Sequence, residues 1–149
     1  MGNKVNVLYP ELSYKIIGLA MRVHNKLGCG FLEKVYENAL VILLRREGLR
    51  VEQQASIKVY FEGEIVGEFV ADILVEGKII LELKAVEKLT SVHRAQAINY
   101  LKATGIQLAL LLNFGGKSLE HERILNETSS NTNESSSRKI DISWMTKGK

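Results

Sequence analysis

Apolar positions recur along the first third of the chain with a helical period. From Glu11 to Leu27, Ile16, Ile17, Ala20, Val23, His24 and Leu27 fall on one stripe, and Gly28-Cys29-Gly30 ends it. From Leu32 to Glu47 the stripe is Leu32, Val35, Tyr36, Ala39, Leu40 and Leu43, with Gly48 as the stop. The period then shortens to two. Ala55, Ile57, Val59 and Phe61 alternate as in a half-buried strand. Glu62-Gly63-Glu64 predicts a turn, Ile65 to Val75 a second strand, Glu76-Gly77-Lys78 another turn, and Ile79 to Ala85 a third strand. Thr90 or Ser91 caps a helix that runs to Ala103 and stops at Gly105. The run IQLALLLN, Ile106 to Asn113, is nearly all apolar, as expected of a strand covered on both faces. This order predicts an α/β sandwich: a mixed sheet flanked by helices, with an antiparallel meander and a strand made parallel by the crossover helix.

From Asn126 the pattern stops. NETSSNTNESSSRK has no apolar residue, and such a segment cannot offset the entropy of ordering. Disorder is expected over 126–139, with IDISWM beyond it either docking as a short strand or floating. The division is a body over 1–125 and a polar tail over 126–149. A chain of 149 residues fits one domain with a real core. Its one cysteine, Cys29, rules out an intrachain disulfide and a cysteine-based zinc cluster, and suits a reducing, cytoplasmic setting. The opening MGNKVNVLYPELSYK lacks an apolar leader core, so no leader is expected, and no run of 18 apolar residues predicts a membrane span. The formal charge of +3 is compatible with a polyanionic partner without arguing for one.

Charge inside the second and third strands changes the picture most. With a three-residue turn at Glu76-Gly77-Lys78, Val75 faces Ile79 and Asp72 faces Glu82, with Lys84 one pleat along. One face then carries Val70, Asp72, Leu74, Ile80, Glu82 and Lys84. The other, Ala71, Ile73, Val75, Ile79, Leu81 and Leu83, is wholly apolar. A two-residue turn at Gly77-Lys78 would instead set Asp72 against Leu83 and part the carboxylates. Two carboxylates that close repel, so one takes a proton or a cation sits between them. Magnesium is held by one or two carboxylates plus water and substrate phosphate oxygens. Lys84 supplies a point charge that could orient a water or neutralise charge building on a phosphate. This is a constellation for metal-assisted phosphodiester hydrolysis. The plainer reading is an Asp72–Lys84 salt bridge on a solvated face.

On the helix from Ser91, His93, Gln96 and Tyr100 share one side. His93 reads as an exposed helix-start residue and Tyr100 as a core aromatic with its hydroxyl at the edge. Gln96 asks for more, since a buried amide needs partners. On the second helix Glu33 flanks the stripe of Tyr36 and Leu40. It either faces the helix dipole in water or joins the acidic pair. Glu37 is expected to point toward solvent, and His24 to be a satisfied core histidine.

Asp72 followed by Glu82-Leu83-Lys84 resembles the D…ExK signature of the PD-(D/E)XK nuclease superfamily. The element order resembles its αβββαβ, restriction-endonuclease-like core. Gln96 to Tyr100 is similar to the QxxxY motif of the RecB-like branch. Gly30-Phe31-Leu32-Glu33-Lys34-Val35-Tyr36 fits GxxExxY, the motif that names a family of small bacterial and archaeal proteins in this superfamily. The resemblance covers about residues 11–125. It implies that Asp72 and Glu82 ligate a metal, that Glu33 completes the acidic set, that Lys84 is the catalytic lysine, and that Gln96 and Tyr100 support the site or touch substrate. Ala71 stands where the signature has Pro, a common departure. The implied activity is hydrolysis of nucleic acid, DNA first, with Mg2+ or Mn2+ in its place. Other classes stay open: a non-catalytic nucleic-acid- or protein-binding module on the same fold, or a domain that forms a homodimer or docks on a partner protein.

Overall fold

A computed structural model describes residues 8–127, and in them the chain forms three helices and five strands. The expectations of disorder over 126–139 and of a docking IDISWM segment lie outside the described residues, except at Asn126 and Glu127. In chain order the elements are α1 (Pro10–Leu27), α2 (Glu33–Arg46), β1 (Val51–Phe61), β2 (Glu64–Val75), β3 (Ile79–Lys84), α3 (Ser91–Thr104), β4 (Leu108–Asn113) and β5 (Glu120–Leu125). The strands form one sheet in the order β1-β2-β3-β4-β5. Only β3 and β4 are parallel, as the crossover helix requires; the other pairs are antiparallel.

Two cores follow from the sheet's two faces. On one, Ile73, Val75, Ile79, Leu81, Leu83, Leu108, Leu110 and Leu112 pack against α1 and α2. On the other, Leu74, Ile80, Ala109 and Leu111 pack against Ala97, Tyr100 and Leu101 of α3. That accounts for the unbroken apolar runs of β3 and β4, which need greasy side chains both ways.

β5 is a strand the sequence pattern does not announce. EHERIL has too few apolar residues to show a period. It is held by polar contacts: Arg94 Nε lies 2.9 Å from Glu122 Oε1, and Arg123 reaches Ser13 Oγ at 2.6 Å and the Leu8 carbonyl at 2.7 Å. His24 is the core histidine expected, 5% exposed, with Nε2 2.8 Å from the Gly116 carbonyl oxygen and its ring stacked on Phe114. These contacts clasp α1 to β5 and to the loop before it.

Two tight turns set the meander. Glu62 and Gly63 have φ 50° and 85°, the paired left-handed conformation that matches strand twist in a hairpin. Glu76 and Gly77 repeat it at 54° and 64°, and the Lys78 N–H donates to the Val75 carbonyl at 2.9 Å. The β2–β3 register is Val75↔Ile79, Leu74↔Ile80 and Ile73↔Leu81, as the three-residue turn predicts.

The face assignment fails at one point. Residues two apart in a regular strand share a face. Val51 of β1, with Ile73 and Val75 of β2, faces α1 and α2, yet Ala55, Ile57 and Ala71 face α3. Ala71 therefore does not group with Ile73. Both strands rotate between the partner pairs Gln53↔Ile73 and Ala55↔Ala71, where Gln54 lies opposite Asp72. Gln54 has φ 55°, a left-handed conformation uncommon for a residue with a side chain.

Candidate active site

The β2–β3 ladder ends at Ile73↔Leu81, and the next residues on each strand are Asp72 and Glu82. Side chains continue the ladder where backbone pairing stops. The Leu83 N–H donates to Asp72 Oδ2 at 2.8 Å, and the Asp72 N–H donates to Glu82 Oε1 at 3.3 Å. The two carboxyls are thus cross-strand neighbours, and each is oriented by one backbone donor.

Glu82 is 3% exposed and Asp72 half-buried. Loss of water raises the Glu82 carboxyl from 4.5 to about 8, and the charge of Asp72 adds to the rise. Asp72 is raised too, first by burial and then by the charges of Glu37 and Glu33, against the lowering effect of the Leu83 N–H. Lys84 works in the opposite direction, lowering both carboxyls.

Lys84 is fixed from α3. Its Nζ donates to Gln96 Oε1 at 3.1 Å, and Gln96 Nε2 donates to Tyr100 Oη at 3.1 Å. The amide expected to need partners has one on each side. Tyr100 is 6% exposed, its ring lies 5.6 Å from that of Phe69, and burial together with the Glu82 and Asp72 charges raises its phenol. His93 serves α3 itself: its Nδ1 accepts the Thr90 N–H at 3.0 Å in a capping box.

The loop after Lys84 is pinned from β4. Asn113, fully buried, accepts the Val86 and Gly115 N–H groups at 3.0 Å through Oδ1 and donates to Glu120 Oε1 at 3.0 Å. Glu120 also accepts the Leu89 N–H at 3.1 Å. A Cβ on Gly115 would stand 2.1 Å from the Val86 carbonyl oxygen, so only glycine fits there.

α2 brings the other acids. Tyr36 is fully buried and stacks on Phe114 at 4.6 Å. Its hydroxyl donates to the Gly28 carbonyl at 2.6 Å and accepts the Phe31 N–H at 3.2 Å, which fixes the loop that launches Glu33. Glu33 is exposed at the head of the helix, yet its charge raises both Asp72 and Glu82. Glu37 corrects the expectation that it points to solvent: it is 3% exposed. Its carboxylate accepts from Gln53 Nε2 at 2.6 Å, from Gln54 Nε2 at 3.0 Å on both oxygens, and from Lys34 Nζ at 3.1 Å. No sequence signal marks it, since the amides it holds, Gln53 and Gln54, are half-buried and exposed and need no protein acceptor.

The donor set suits a hard cation. Hydrogen bonding uses one oxygen of Asp72 and one of Glu82, which leaves Asp72 Oδ1 and Glu82 Oε2 as hard oxygens of the kind a cation such as magnesium takes. Among the described residues no three His, Cys, Asp or Glu side chains converge as a ready metal cage. Two protein carboxylates, completed by solvent or substrate oxygens, are the arrangement magnesium takes.

A model of the PD-(D/E)XK nuclease superfamily matches residues 10–124. No curated protein matches the chain. The solved structures similar to it include SSO0001, at 16% identity and a TM-score of 0.50, covering 62% of this chain and 50% of that one. Another is an alkaline exonuclease (LHK-Exo) from Laribacter hongkongensis, at 12% identity and a TM-score of 0.50, covering 83% of this chain and 74% of that one. This chain spans half the length of the first, and at these identities the likeness is one of fold.

Proposed function

The chain belongs to the PD-(D/E)XK nuclease superfamily, and from that premise we propose that it hydrolyses phosphodiester bonds of nucleic acid, DNA first, with Mg2+ or Mn2+ at Asp72 and Glu82. Within the superfamily, Gly30-x-x-Glu33-x-x-Tyr36 and Gln96-x-x-x-Tyr100 support a place in the GxxExxY family and the RecB-like branch. The observation that carries the reading is the pair of hydrogen bonds that set the Asp72 and Glu82 carboxyls side by side with Lys84 adjacent.

Asp72 and Glu82 hold the cation, with Glu33 at the mouth of the site as a further acidic group. When bound, the cation supplies positive charge at the phosphate under attack. The Lys84 ammonium gives one hydrogen to Gln96 and keeps two for oxygens of the phosphate under attack, while the attacking water passes its proton to solvent. Gln96, tied to Tyr100, holds that ammonium where charge builds as the water oxygen bonds to phosphorus and the ester oxygen leaves. A net charge of +3 gives little affinity for a polyanion, so a second copy or a partner protein completes nucleic-acid binding. The lone exposed Cys29 suits a cytoplasmic setting, and no helix among the described residues is long and apolar enough to cross a membrane.

The test is cleavage of labelled single- and double-stranded DNA and RNA with Mg2+ or Mn2+. Lys84→Ala should lower the rate about 10²–10³-fold and leave metal binding intact. Lys84→Arg should restore little, since a planar guanidinium is not a compact point charge. A wild type that cuts nothing with either metal, yet binds nucleic acid as well as Lys84→Ala does, would be a non-catalytic binding module.

A further inference from the structure

Adjacent strand residues point to opposite faces, so one carboxylate should not receive both of two neighbours. Glu37 receives both Gln53 and Gln54. It does so at the place where Gln54 takes φ 55°, where β1 and β2 exchange faces, and where β2 leaves its pairing with β3. A left-handed conformation in a side-chain-bearing residue is strained and persists only where the surroundings hold it. The groups that hold it are the two carboxylate oxygens of Glu37, itself fixed on α2 between Tyr36 and Leu40 of the core.

Asp72 stands across from Gln54, between Ala71 and Ile73, which face opposite sides of the sheet. Were β2 regular here, the Leu83 N–H would meet backbone. Rotation of the strand lets it meet Asp72 Oδ2 instead. We propose that Glu37 is a positioning residue: through Gln53 and Gln54 it holds the rotation of β1 and β2 that turns the Asp72 carboxylate toward Glu82. Nothing in the sequence motifs assigns Glu37 such a part. Its effect on the reaction rests on the metal-site reading above, whereas its effect on Asp72 does not.

The test uses the full chain and reads amide hydrogen exchange together with Mn2+ binding by calorimetry. In Glu37→Ala, exchange at the Leu83 and Asp72 amides should speed up about tenfold or more, the loss expected when each amide gives up its carboxyl acceptor. The Leu110 and Leu112 amides of β4 should keep wild-type rates. Mn2+ affinity of the folded protein should fall in parallel. Should Glu37→Ala not fold, Gln54→Gly serves instead. Glycine adopts φ 55° freely but cannot reach Glu37, so it should loosen the same two amides. Lys34→Ala, which removes the exposed partner of Glu37 and leaves the strand contacts, should change neither readout. Unaltered exchange at Leu83 and Asp72 in both variants would overturn the proposal, as would equal acceleration at Leu110. A wild type that binds no Mn2+ would sink the metal-site reading while the exchange data still decided the role of Glu37.

Discussion

Glu82→Gln should make the metal-free protein more stable at alkaline pH and leave it nearly unchanged in acid. Glu82 titrates at 4.5 ordinarily and at about 8 in the fold. A folded pKa above the unfolded one means that the native state binds the proton more tightly. The stabilising state is therefore the protonated one. It is complete below pH 4.5 and is lost as pH rises toward 8, where the buried carboxyl must ionise beside Asp72. Linkage over pH 5 to 8 puts the loss at about 3–4 kcal/mol. Glutamine matches the neutral acid in size, keeps a carbonyl oxygen for the Asp72 N–H, and does not ionise. It also relieves Asp72 of a charged neighbour, which moves the difference the same way. The assay is urea unfolding at pH 5, 6, 7 and 8 with chelator present. The two curves should nearly meet at pH 5 and diverge by a few kcal/mol at pH 8. Parallel curves would refute the argument, because the Glu82 carboxyl would then titrate alike in both states.

Other substitutions test neighbouring parts. Asp72→Asn should abolish the rise in melting temperature that millimolar Mg2+ or Mn2+ gives the wild type; an equal rise in the variant would place the cation elsewhere. Tyr36→Phe, which removes the hydroxyl between Gly28 and Phe31, should cost about 1–3 kcal/mol by urea unfolding, and an unchanged midpoint would show that the loop holds itself. Gly115→Ala should destabilise by about 3 kcal/mol or more, because the new methyl meets Val86 backbone at 2.1 Å and no side chain there can give way.

The β2–β3 register, and with it the neighbouring Asp72 and Glu82, was legible as one of two pairings, and the structure takes the one in which Gly77 centres a three-residue turn. Gln96 was legible because a buried amide without partners is costly, and it has two partners. Ala71 and Glu37 were not. Alternation in the sequence assumes an unbroken strand, and a rotation at Gln54 leaves no mark on the order of apolar residues. Glu37 sits beside Tyr36 on α2, and a helical stripe drawn through apolar residues alone excludes a carboxylate that three side chains cover. β5 escaped for a related reason: it is an edge strand held by its backbone ladder with β4 and by polar side-chain contacts, so it carries no apolar period.

The hydrogen bonds of the site join residues that are near in the chain. Asp72 and Glu82 are ten apart and Lys84 and Gln96 twelve, whereas His24 and Gly116 are 92 apart and Ser13 and Arg123 are 110. Closing a loop costs entropy that grows with its length, and local contacts form first. The contacts among β2, β3 and α3 therefore close short loops, at a small entropic cost. The clasp between α1 and β5 closes far longer loops, so its closure carries the larger entropic cost.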